Sequence, residues 1–65
     1  MIGTKLRELR AEKEMKQKEV AEAIGVSLTC YAGYEQDYRD PDYVTLIRIA
    51  KFFNVRTDYL LGLED

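Results

Sequence analysis

An all-α domain of five short helices is what this sequence predicts, and three observations carry the prediction. Apolar residues recur at helical spacing, with charged residues between them. Cap and stop residues punctuate the chain at Gly25, Ser27, Asp42, Asn54, Thr57 and Gly62. No stretch shows the period-two alternation or the β-branched and aromatic run of a strand.

Ile2, Leu6 and Leu9 stand at i, i+4 and i+7, which predicts an amphipathic helix over about residues 2–13. Val20, Ala21 and Ile24 mark a second helix over 17–24. Gly25 ends it, because glycine takes the left-handed conformation just past a helix at low cost. Ser27 caps a third helix, 28–36, its hydroxyl accepting from the Thr29 or Cys30 backbone N–H. Residues 37–41 form a polar loop in which Pro41 forbids helix continuation. Asp42 caps a fourth helix whose stripe is Leu46, Ile49, Ala50 and Phe53, and Asn54 suits its left-handed end. Thr57 is expected to cap a last short helix, TDYLL, closed by Gly62.

The bulk numbers restrict function. A chain of 65 residues makes one small domain, 1–65, burying roughly 60% of what its unfolded form exposes. Such a core leaves a margin of about 3–5 kcal/mol and no room for a sizeable catalytic cavity. One cysteine and no histidine exclude an internal disulfide and zinc-ligand spacing, and fit a reducing, cytoplasmic setting. No nucleophile–base pair with an orienting partner can be assembled, no P-loop or dinucleotide fingerprint is present, and no cofactor is implied. No apolar run approaches the roughly 18–20 residues of a membrane span. The net charge is −2, and its distribution is uneven: residues 1–25 carry +1, residues 26–45 carry −3 and residues 46–65 carry 0. No internal repeat or linker is visible.

The segment QKEVAEAIGVSLTCYAGYEQ, 17–36, has the makings of a helix-turn-helix. Ala21 is small where two helices must approach, Gly25 supplies the turn, and Ser27 restarts the chain as helix. Ile24, Val26 and Tyr31 furnish the apolar inner angle. The resemblance extends further, through LRELR (6–10), QKEVAEAIGVS (17–27), YE (34–35), RDPD (39–42), TLIRIAKFFNV (45–55) and TDYLLG (57–62). From Ile2 to Gly62 the chain resembles the Cro/Xre family of short phage and bacterial repressors. The resemblance implies a five-helix Cro/repressor-like helix-turn-helix domain that regulates transcription by binding double-stranded DNA. It also implies a structural pair between Arg10 and Glu35.

The third helix then raises a question, because it contains no lysine or arginine. Its outward arc comprises Leu28, Thr29, Ala32, Gly33 and Gln36, while Cys30, Tyr31 and Tyr34 turn inward. In the resembled family positions 28, 32 and 33 often carry hydrogen-bonding side chains that touch base edges. Here they are Leu28, Ala32 and Gly33. The DNA-binding set implied by the resemblance is thus Lys16, Gln17, Lys18, Thr29, Gln36 and Arg39. Lys16 stands where the family usually has a Ser/Thr cap, Glu14 where it often has glycine, and Asp37 where its loop commonly has glycine.

A second function class remains open. Leu28, Ala32, Gly33, Tyr38, Tyr43 and Val44 form a tyrosine-rich, lysine-poor set suited to a protein interface. On that reading the chain is a diverged or engineered repressor scaffold whose former DNA-reading face binds a protein partner. Near the end of the chain, Tyr59, Leu60, Leu61 and Leu63 exceed what a short terminal helix needs to bury. In the resembled family this region often pairs two subunits about a two-fold axis, so a homodimer is one expectation and capping of the monomer core the other.

Overall fold

A computed structural model describes residues 2–63, so Met1, Glu64 and Asp65, at the ends of the expected 1–65 domain, lie outside the described residues. Five helices follow in chain order: α1 (Ile2–Glu12), α2 (Gln17–Ile24), α3 (Leu28–Glu35), α4 (Tyr43–Phe53) and α5 (Thr57–Leu60). No strand occurs among the described residues. The bounds depart from expectation only at the ends of α1, α3 and α5, each slightly shorter than periodicity suggested.

Two helix starts are capped as their sequence demands. The Ser27 hydroxyl accepts from the Cys30 N–H at 3.1 Å, and the Asp42 carboxylate accepts from the Thr45 N–H at 2.8 Å. At α2 the cap position is Lys16, whose ammonium has no acceptor. Glu19 compensates from inside the helix, its carboxylate accepting from the Lys16 N–H at 2.7 Å. The expectation for α5 is corrected. Thr57 is its first helical residue, and Arg56 holds the cap position without a side-chain capping hydrogen bond.

The helix ends share one solution. Each helix is followed by a residue in the left-handed conformation: Glu14 (φ 54°), Gly25 (φ 79°), Asp37 (φ 58°), Asn54 (φ 56°) and Gly62 (φ 77°). In each case that residue and the next donate their N–H groups back into the last turn, as Gly25 does to Glu22 and Val26 to Ala21. The orphan carbonyls are satisfied and the chain reverses within two residues. At Glu14 and Asp37 an L side chain occupies a conformation that glycine takes at lower cost.

Leu6, Val20, Tyr31, Ile49 and Leu60 are wholly buried, with Ile24 and Ala21 nearly so. Burying side chains of this size stabilises by roughly 1.5–3 kcal/mol each. Tyr31 and Tyr34 meet edge to face at 6.4 Å in the middle of the core. α1 closes over the end of α3 at Gly3, where an added Cβ would overlap the Glu35 carbonyl. A glycine is therefore required at that contact by space, not by backbone angle.

Candidate functional site

The turn at Gly25–Ser27 sets α3 at an angle to α2, with Ala21, Ile24 and Tyr31 buried at the inner corner. α3 then turns part of its surface to solvent. Leu28 is 46% exposed, Thr29 and Gln36 are exposed, and Ala32 is half-buried. At the start of α2, Lys16 and Lys18 are exposed and Gln17 is half-buried.

Glu35, the last residue of α3, organises the junction of α1, α2 and α3. Its side chain is almost fully buried, and it receives Arg10 Nε at 2.6 Å, Arg10 Nη2 at 3.1 Å and the Gln17 amide nitrogen at 3.0 Å. Arg10 also donates to the Met15 carbonyl at 3.0 Å, which ties in the turn between α1 and α2. Burial pushes the Glu35 carboxyl up, but the hydrogen bonds and charge of its partners, led by Arg10, outweigh that and hold it below the ordinary glutamate value. The bond to Glu35 raises the Arg10 guanidinium in turn. The Tyr31 hydroxyl is buried beside this pair without a well-formed hydrogen bond, and burial drives it well above the usual phenol range. Because an ionised carboxylate only accepts, Gln17 must turn its NH₂ group inward. One amide N–H and the carbonyl oxygen of Gln17 are left for other partners.

Three further residues complete the frame, of which the sequence singled out only Asp37, as a departure from the resembled family's loop. Arg7 donates to the Glu35 backbone carbonyl at 2.6 Å, and the Gly3 N–H donates to the Asp37 carboxylate at 3.0 Å. That bond holds the Asp37 carboxyl below the ordinary aspartate range. Gly3, Arg7 and Asp37 lie 28 or more positions apart across these contacts. No local pattern could have paired them.

The loop after α3 corrects one expectation. Gly33 is not open on the outward arc; it is buried. Asp37 reverses the chain, the Tyr38 and Arg39 N–H groups both return to the Gly33 carbonyl at 2.9 and 3.2 Å, and the Arg39 stem then covers Gly33. Cys30 is half-buried and packed against the core, as its inward side predicts, and the Arg39 Nη1 group approaches its sulfur at 3.7 Å on the flank of α3.

The set considered for a protein partner is therefore divided. Tyr38 is 80%, Tyr43 85% and Val44 57% exposed, but the Ala32–Gly33 step they were to surround is filled by Arg39. The set considered for a dimer is divided too. Leu60 is wholly buried in the monomer core and cannot reach a partner, while Tyr59 is half-buried with the Lys5 ammonium 5.0 Å from its ring centre. Leu61 and Leu63 remain exposed.

Comparison with known proteins agrees with this geometry. Residues 6–60 match the helix-turn-helix family. The chain is 42% identical over 64 residues to the HTH-type transcriptional regulator ImmR of Bacillus subtilis, covering 98% of this chain and 50% of ImmR. It is 40% identical over 55 residues to the cryptic phage CTXphi transcriptional repressor RstR of Vibrio cholerae, covering 85% of this chain and 50% of RstR. With the ImmF control region 10 kDa protein of Bacillus phage phi105 the identity is 36% over 63 residues, 97% of this chain and 70% of that protein. The chain thus spans about half the length of ImmR and RstR. Among solved structures, the P22 c2 repressor in complex with a synthetic operator superposes with a TM-score of 0.93 at 23% identity, over 98% of this chain and 97% of that one. With the motif geometry, the span of the match and the identity to these regulators all in agreement, the chain belongs to the helix-turn-helix family.

Proposed function

We propose that this chain is the DNA-reading domain of a transcriptional regulator of the Cro/Xre type, with α3 lying in the major groove of double-stranded DNA. One observation carries the reading: α3 is locked to α1 and α2 through Glu35, leaving Leu28, Thr29 and Gln36 facing outward beside the cationic start of α2. A rigidly held helix with a solvent-facing edge is what groove recognition requires. The fold shared with a repressor solved on its operator and the names borne by ImmR and RstR support it.

The division of labour follows from the side chains. Lys16 and Lys18 face the phosphates, as does the remaining N–H of Gln17. Gln36 can offer donor and acceptor together to an adenine edge, Thr29 one hydroxyl, and Leu28 an apolar contact for a thymine methyl. The face has few cations, so affinity rests on a small number of phosphate contacts. On this reading the protein works without a catalytic group, in the cytoplasm with its DNA. Leu61 and Leu63 are proposed as contacts between two copies of the chain, bringing two α3 helices to successive turns of the duplex.

Selection from a random-sequence duplex library, followed by titration at several salt concentrations, tests the reading. An enriched site bound more tightly than bulk DNA is expected. Gln36→Ala should relax the preference at defined positions, whereas Lys18→Ala should weaken all sequences alike. No enrichment and no binding at low salt would overturn it. A protein partner on the same face has less support, since Arg39 occupies the small step on which it would close.

A further inference from the structure

The recognition helix has no cation of its own, yet a cation lies against it. Between residues 26 and 45 the only basic residue is Arg39. The reversal at Asp37 returns the chain along α3, and the Gly33 carbonyl accepts both the Tyr38 and Arg39 N–H groups. The Arg39 stem then runs across Gly33: a Cβ built on that glycine would stand 3.0 Å from Arg39 Cδ, 3.1 Å from Cγ and 3.4 Å from Cβ. The guanidinium ends 3.7 Å from the Cys30 sulfur, on the helix flank next to the outward arc. Gly33 has an ordinary helical backbone, so its lack of a side chain serves the space above it and not a turn.

We infer that Gly33 is the positioning residue that seats Arg39, already in the DNA-binding set that the resemblance implies, against the α3 face, so that the face's cation is carried in from the following loop. This inference rests on the DNA-binding reading and specifies its electrostatics. A free arginine on a loop must be ordered when it meets a phosphate. Here the stem is already laid along the helix, so fewer rotamers are lost on binding. The glycine that removes a side chain from the recognition surface is the same one that admits a longer, charged one from elsewhere.

The test is a double-mutant cycle with Gly33→Ala and Arg39→Ala, each titrated against duplex DNA of mixed sequence across a salt series. Arg39→Ala is expected to lower affinity about tenfold, the scale of one charge-assisted bond, and to make the salt slope shallower by about 1. Gly33→Ala is expected to lower affinity several-fold in the wild-type background and by less than about twofold when Arg39 is already alanine. Its melting temperature, measured without DNA, should hold or rise, since alanine favours the helix. A merely structural glycine would give the same loss with or without Arg39, and that result would overturn the inference. So would unchanged affinity in Gly33→Ala while wild type binds DNA normally, which would leave the DNA reading intact. Absence of DNA binding by wild type at low salt would overturn the reading and this inference together.

Discussion

Glu35→Ala is the most informative perturbation of the fold. The carboxylate it removes is almost fully buried and accepts two hydrogen bonds from Arg10 and one from Gln17. Breaking a buried pair by deleting one partner costs about 3–5 kcal/mol, because the remaining charge is stranded. Two features moderate that figure. The Arg10 side chain is 24% exposed, and it keeps its bond to the Met15 carbonyl, so the guanidinium regains some water. A loss of about 2–4 kcal/mol is the resulting expectation. That is most of the margin of about 3–5 kcal/mol available to a chain this small, so the variant should be only marginally folded at room temperature, with a measurable unfolded fraction. Glu35→Gln keeps the shape and loses the charge, and it should lie between the two. Urea titration followed by circular dichroism, with all three proteins at the same temperature, reads the difference. The pH dependence provides an independent check. The folded Glu35 carboxyl lies below its ordinary value of 4.5, so its contribution is complete above that value and is lost as pH falls below it through the folded value. Wild type should therefore lose stability on acidification more steeply than Glu35→Gln. A loss below ~0.5 kcal/mol in Glu35→Ala, or parallel acid profiles, would place the pair outside the structural core and refute the argument.

The remaining predictions concern backbone and charge. Gly3→Ala should destabilise by roughly 1–3 kcal/mol, the scale of overpacking, because the new methyl collides with the Glu35 carbonyl and α1 must move off α3; urea titration reads it. Glu14→Gly should stabilise by roughly 0.5–1 kcal/mol, since it relieves a left-handed glutamate at the end of α1, less the greater freedom glycine has when unfolded; the thermal midpoint should rise. On duplex DNA, the plot of log K against log salt should have a slope well short of about −10, because Lys16, Lys18 and Arg39 neutralise few phosphates per copy; a slope near that value would mean that another basic surface is used.

Much of the architecture was legible because it is local. Ser27 and Asp42 cap their helices through hydroxyl and carboxylate groups three residues from the N–H they serve. Gly25, Asn54 and Gly62 announce their left-handed turns by residue type. Glu14 and Asp37 do the same work without announcing it, and only the resemblance flagged those positions. Thr57 misled because a threonine before an apolar run is an ordinary cap, whereas here the helix begins at it.

By itself, then, the sequence determined the five helices and the helix-turn-helix, because caps and periodicity act over a few residues or along one helix face, while the meeting of Arg10 with Glu35, 25 positions apart, was implied by the family resemblance. Tertiary structure alone decided what became of the recognition face. A helical wheel assigns Gly33 to the outward arc, but it cannot know that Asp37 will reverse the chain and lay Arg39 across it. Nor can it know that the Gln17 amide is claimed by Glu35, or that Leu60 turns inward while Leu61 does not. Each of these depends on where a residue distant in sequence, or a returning loop, comes to rest. Burial is a property of the packed whole, and periodicity describes one helix at a time.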